Sequence, residues 1–208
     1  MNTEVPATGM VVPKVSVWQL TVPNLFIGLG AALMVPYFNI FFVEVFGISN
    51  QLLGSLFSAA SLFTGLSIMA APSLAKHLKG RIKAIVYAQG ASLIFLLAIG
   101  FSPWLGLAMV GFLARGALMN MVNPLYSAFA MEQVEEGEQG TLNSLMALSW
   151  QVGWAMMPLV SGLIQERYGF TPIFLGTAVF YAVGIGLIWI FFKDQETAAQ
   201  PDAVLQTS

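Results

Sequence analysis

The chain has 208 residues with eight basic and ten acidic side chains, so its formal charge is −2; 57% of the residues are hydrophobic and only 9% are charged. A soluble domain carries about 25% charged residues, and one of this size could not hide so much apolar surface. Cysteine is absent, which excludes disulfide frameworks, thiolate zinc sites and cysteine nucleophiles together.

No charged residue lies between Val15 and Val43, Gln51 and Ala75, Ala84 and Ala114, Thr141 and Gln165, or Thr171 and Phe192. Runs of that length reach or exceed the roughly 18–20 apolar residues that cross a bilayer. The fold class expected is an all-α membrane protein of six transmembrane helices. In chain order, a polar leader over residues 1–14 precedes helices near 17–45, 51–78, 83–101, 104–131, 141–165 and 171–192, and a polar tail follows from 194 to 208. The leader lacks the basic start and cleavage pattern of a secretory signal, so the chain reads as mature from its first residue. The joints are Gly47-Ile48-Ser49-Asn50, Lys79-Gly80-Arg81, Phe101-Ser102-Pro103, the acidic stretch from Glu132 to Gly140, and Glu166-Arg167-Tyr168-Gly169, the Gly, Pro, Ser and Asn clusters that punctuate helices.

Lys14, Lys76, Lys79, Arg81, Lys83 and Lys193 fall on one side of such a bundle and only Arg167 on the other. Basic residues stay cytoplasmic, which puts both termini and the Glu132–Glu138 loop inside the cell. The halves echo each other. Pro36 and Glu44 stand eight apart late in the first helix, Pro124 and Glu132 eight apart late in the fourth, and Pro72 and Pro158 interrupt the second and fifth. Two inverted three-helix repeats are a common plan among secondary transporters.

Several landmarks in order resemble the major facilitator superfamily of secondary transporters. Pro72-Ser-Leu-Ala-Lys-His-Leu-Lys-Gly-Arg-Ile-Lys83 is similar to a degraded form of its basic loop signature, with Lys76 near the place of the family's aspartate. Leu113-Ala-Arg-Gly-Ala-Leu-Met-Asn120 carries a mid-helix arginine, Gly153-Trp-Ala-Met-Met-Pro-Leu-Val-Ser-Gly162 resembles its Gly/Pro-rich segment, and Tyr168-Gly-Phe-Thr-Pro-Ile-Phe174 its loop before the last helix of a half. Family members usually carry twelve helices in two halves, and the weakened loop signature and polar ends look more like the second half. The resemblance implies a partner: a second six-helix bundle, either an N-terminal half or a second copy of this chain. It also implies a pathway position for Tyr37 or Asn39 and for Arg115, because the first and fourth helices of each half line the family's central cavity.

Arg115 is the sharpest single feature. It stands about a dozen residues into the fourth helix, where a charge costs roughly 2.5–3.5 kcal/mol unless it meets a cavity or a partner. Glu132 lies about 25 Å away along a continuous helix, so no carboxylate of this chain reaches its depth. Two readings stand: a brace that bonds to neighbouring helices, or a member of a substrate pathway. On a continuous helical wheel Tyr126 falls about 20° from Arg115, and Asn120 and Asn123 add amides to the same helix. Trp150 lies mid-span, away from the interfacial belts where tryptophans collect, with Gln151 beside it. The candidate pathway is therefore Arg115, Tyr126, Asn123, Asn120, Asn39, Tyr37, Trp150 and Gln151. Lys76, Lys79, Arg81 and Lys83 form a cytoplasmic basic loop that sets topology and meets anionic headgroups. His77 is the only histidine; it has no second ligand or nucleophile, so neither a metal, a cofactor nor an enzyme is expected.

The function expected is transport of a small solute by alternating access, as one half of a secondary transporter in a bacterial plasma membrane. A non-transporting membrane bundle, a relic or an assembly partner, is the other reading. Arg115→Lys and Arg115→Ala are expected to lower transport at near-normal abundance.

Overall fold

The computed structural model describes residues 15–198, with side chains placed through Lys193. Six helical spans are long and apolar enough to cross a membrane: Val17–Phe46, Asn50–His77, Arg81–Phe101, Leu105–Glu132, Gln139–Tyr168 and Thr171–Lys193. In a bilayer no water satisfies backbone groups, so a chain this apolar must close its hydrogen bonds within each span, as helices do. The leader 1–14, with Lys14, and residues 199–208 lie outside the described residues; the last helix runs on to Ala198.

Two spans are interrupted. The first consists of α1 (Val17–Met34), a 3-10 turn at Val35–Tyr37 and α2 (Phe38–Phe46); the fourth consists of α5 (Leu105–Met121) and α6 (Asn123–Glu132). Pro36 and Pro124 sit at the two breaks. Proline has no amide to donate and its ring strikes the carbonyl four residues back, so each ring interrupts the hydrogen-bond ladder of its span. The remaining spans are single helices: α3 (Asn50–His77), α4 (Arg81–Phe101), α7 (Gln139–Tyr168) and α8 (Thr171–Ala198). Pro72 and Pro158 lie inside α3 and α7 without ending them. The ends carry local signals: the Ser16 amide donates to Gln19 Oε1 (3.0 Å) and the Leu52 amide to Ser49 Oγ (3.3 Å), while Gly47, at φ 64°, closes the first span in the left-handed region that glycine favours.

The packing has an internal two-fold pattern. Span 1 lies against spans 5 and 6, span 4 lies against spans 2 and 3, and spans 3 and 6 meet each other. Exchanging 1 with 4, 2 with 5 and 3 with 6 maps this set of neighbours onto itself. The chain is thus two three-helix repeats, and the paired proline breaks fall on the equivalent first span of each. Span 1 is the central element, and its approach to span 5 is close. A side-chain carbon added at Gly153 would lie 3.1 Å from the backbone carbon and oxygen of Gly28 and from the Leu29 nitrogen. Glycine there lets two backbones touch, the small-residue contact that drives helix association in lipid.

Beyond the first break, α2 is held by a cluster of aromatic rings. Phe41 meets Phe170 and Phe174 with ring centroids 5.2 and 5.0 Å apart, and Phe42 meets Phe112 at 5.5 Å, all three edge to face, the arrangement ring quadrupoles prefer. In contrast, α3 and α7 bury little of themselves within the bundle: Leu62, Met69, Leu148 and Leu159 are all exposed.

Candidate functional site

Arg115 lies inside the bundle. It is 5% exposed, and one terminal nitrogen donates to the Tyr181 hydroxyl on α8. Its guanidinium carbon stands 5.3 Å from the centre of the Phe38 ring and 5.6 Å from that of Tyr181, geometry that stabilises a cation by about 0.5–2 kcal/mol depending on desolvation. Its Nε atom is buried without a hydrogen-bond partner. One cation thereby joins spans 1, 4 and 6. Tyr181 was missed from sequence, yet a signal existed: Arg115 and Tyr181 each stand ten residues past the start of their spans, Leu105 and Thr171, which run in the same direction. Equal depth is the first requirement for a contact.

Between Arg115 and Tyr126, Met121 ends one helix and Asn123 begins the next, and both side chains are buried facing span 1, at different levels. Arg115 reaches spans 1 and 6 at mid-bundle, whereas Tyr126, 7% exposed, donates to the Leu20 carbonyl on α1 at 2.6 Å. Tyr37 donates to the Pro158 carbonyl on α7, also at 2.6 Å. Both hydroxyls are therefore committed to backbone oxygens of another span.

The amides have a different environment. Asn39, Asn123 and Gln151 are exposed on the bundle surface, and Asn120 is partly so. Asn120 Nδ2 donates to the Gly116 carbonyl one turn back (2.7 Å), and Asn123 Nδ2 reaches Asn120 Oδ1 (3.4 Å). The two asparagines thus form one polar patch at the break of span 4. Trp150 is half-buried, its ring against Gly28, with Gln151 next to it. Asn24 is a further polar contact that sequence alone did not flag: its Nδ2 bonds the Met146 carbonyl (3.1 Å) and Ser149 Oγ (3.0 Å) across spans 1 and 5.

At the end of the bundle that holds the loop between α3 and α4, Lys76, Lys79 and Arg81 are exposed and Lys83 is partly buried. Lys79 takes φ 51° in the tight turn, a left-handed position that a non-glycine residue rarely adopts. Arg81 grips Glu132 at the end of α6 through both carboxylate oxygens, at 2.8 and 2.7 Å. Sequence arithmetic kept Glu132 away from Arg115, and this loop arginine is its partner. Both side chains are about half exposed, so the pair contributes on the order of 0.2–1 kcal/mol and is screened by salt. Arg81→Ala should lower the unfolding midpoint by a degree or two at low ionic strength (roughly 2–4 °C per kcal/mol). The difference should shrink in high salt, which paired thermal scans would read directly. Among the described residues no group of three or more histidines or carboxylates comes close enough to hold a metal.

The sequence profile of the Major Facilitator Superfamily matches residues 21–206, and the chain belongs to that family. It is similar to two proteins named Multidrug resistance protein MdtG. One, from Yersinia enterocolitica serotype O:8, is 25% identical over 177 residues, covering 81% of this chain and 41% of the relative. The other, from Serratia proteamaculans, is 25% identical over 210 residues, covering 93% of this chain and 49% of the relative. The chain thus spans less than half the length of either, and it corresponds to roughly the C-terminal half. With its six apolar spans, it is an integral membrane protein.

Proposed function

We propose that this chain is one six-helix half of a secondary transporter that moves a small apolar solute by alternating access. In this reading the second half is another six-helix bundle, both ends of the chain face the cytoplasm, and the membrane is the bacterial inner membrane. Family membership supports transport over catalysis and over a non-transporting relic. The name of the relatives, multidrug resistance proteins, supports drug-like apolar compounds as the solute class.

The observation that carries the proposal is the placement of amides. Asn120, Asn123 and Gln151 lie in the middle of spans 4 and 5 and reach the bundle surface. Polar groups at that depth are disfavoured against hydrocarbon and face a water-filled cavity or partner helices instead. Asn39, Asn120, Asn123, Trp150 and Gln151 would form the wall that meets solute, while Arg115, Tyr37 and Tyr126 shape that wall from behind. The basic loop, Lys76 to Lys83, would stay on the cytoplasmic face and meet anionic lipid.

The test is transport of a panel of apolar dyes by the complete transporter, this chain together with the six-helix half that completes it, reconstituted in vesicles. The unsubstituted protein should move at least one dye. Asn123→Leu combined with Gln151→Leu should cut that rate about tenfold or more, equivalent to about 1.4 kcal/mol or more of lost transition-state binding, at unchanged membrane abundance. Equal rates for both proteins, or no dye movement at all, would sink the reading.

A further inference from the structure

Both interrupted spans are bridged at or just past their break by a tyrosine hydroxyl that ends on the backbone of another span, in a turn that itself contains or adjoins a proline. In span 1, Tyr37 follows Pro36 directly and donates to the Pro158 carbonyl at 2.6 Å. In span 4, Tyr126 lies two residues past Pro124 and donates at 2.6 Å to the Leu20 carbonyl, three residues before Pro23. Each proline removes one amide from the helical ladder and leaves its helix more easily bent there. Gly162 adds an independent sign that the first contact is built: a side-chain carbon at that position would lie 2.9 Å from the Tyr37 hydroxyl oxygen. The absence of a side chain at Gly162 is what lets the phenol reach the helix backbone. Asn39 stands two residues beyond Tyr37, and Asn120 and Asn123 flank the other break.

We infer that Tyr37 and Tyr126 are positioning residues: their hydroxyls are struts that set the bend of spans 1 and 4, and through the bend the placement of the amides beyond it. They do not contact solute. The amide wall comes from the function proposed above; the struts themselves stand on geometry alone. An interhelical hydrogen bond in a membrane protein averages about 0.6 kcal/mol and reaches about 1.7, which corresponds to a factor of about 3 to 18 in a conformational equilibrium. Loss of one strut should therefore redistribute the bend without unfolding the bundle.

The experiment measures the bend directly. The chain has no cysteine of its own, so spin labels on Trp18→Cys and Val45→Cys, both exposed positions, report the distance across span 1, about 40 Å for a helix of that length. Tyr37→Phe should shift or broaden the distance distribution. Gly162→Ala should do the same, because the new methyl displaces the hydroxyl, and the two substitutions together should change it no more than either alone. Labels at Leu107→Cys and Ala128→Cys should report the matching change in span 4 on Tyr126→Phe. In transport, Tyr37→Phe should lower the maximal rate by a factor of about 3 to 18, the range one interhelical hydrogen bond supplies, with KM changed less than about twofold, because a strut alters the moving parts and not the solute contact. Distributions that superimpose with and without the hydroxyl would overturn the strut, as would a KM effect larger than the rate effect. If the distances respond while the complete, unsubstituted transporter moves no solute, the struts stand and the transport reading fails.

Discussion

Gly153→Leu should leave little folded protein in the membrane. The position faces the backbone of Gly28 and Leu29, and the first carbon of any side chain placed there would stand 3.1 Å from three main-chain atoms. Main chain cannot turn aside as a side-chain end can, so spans 1 and 5 must separate. Span 1 is the element that spans 5 and 6 both grip, and moving it also pulls at the Asn24 bonds to Met146 and Ser149. Overpacking a tight contact costs about 1–3 kcal/mol and more when backbone must move, against a total stability on the order of 5–15 kcal/mol for a domain. Detergent-solubilised yield and the unfolding midpoint should both fall. Gly153→Ala should give a smaller loss in the same direction, because only one methyl must be accommodated. Normal yield and midpoint for the leucine variant would show that the spans are not in backbone contact.

The second large effect belongs to Arg115. Arg115→Ala should cost about 3 kcal/mol, since it empties the volume between Phe38 and Tyr181 and leaves the phenol without its donor. Arg115→Lys should also lose stability, because an ammonium group cannot bond Tyr181 while lying flat against two rings. Arg115→Met should be the mildest of the three, under about 1 kcal/mol, because it keeps most of the volume and removes a buried charge whose desolvation is costly. Unfolding midpoints of the three variants in one detergent give the order. An unchanged midpoint for Arg115→Ala would mean that the guanidinium braces nothing. The sequence-based expectation of near-normal abundance for the alanine variant is thereby revised, because a residue holding three spans together affects folding before it affects solute.

The number, order and ends of the spans were legible because a bilayer leaves a chain few choices: apolar runs of fixed length, punctuated by glycine, proline and charge. The two-fold echo was legible as well, since Pro36 and Pro124 do local work that depends on no neighbour, and both do break their spans. Side-chain direction was harder. The wheel linking Arg115 to Tyr126 gave their common side but not their partners, which lie at different levels of span 1 and, for Arg115, on span 6 as well. Partners across spans, such as Tyr181 for Arg115 or Pro158 for Tyr37, depend on how helices rotate against each other. Small residues such as Gly28 and Gly153 set that rotation, and their effect is read from a packed pair and not from one chain segment. Of the candidate pathway, Asn39, Asn123 and Gln151 lie exposed on the bundle, whereas the arginine and the two tyrosines bond to other spans.

The amide wall makes one claim about water that a single measurement tests. Gln151→Cys and Ile94→Cys place thiols at nearly the same depth, twelve residues from Gln139 and thirteen from Arg81, the ends of spans 5 and 3 that share one face of the bundle, and both positions are exposed. A membrane-impermeant maleimide applied to the protein in vesicles should label Gln151→Cys readily and Ile94→Cys scarcely, since only the first surface faces an aqueous path. Equal labelling of the two, or protection of Gln151→Cys alone, would contradict the account.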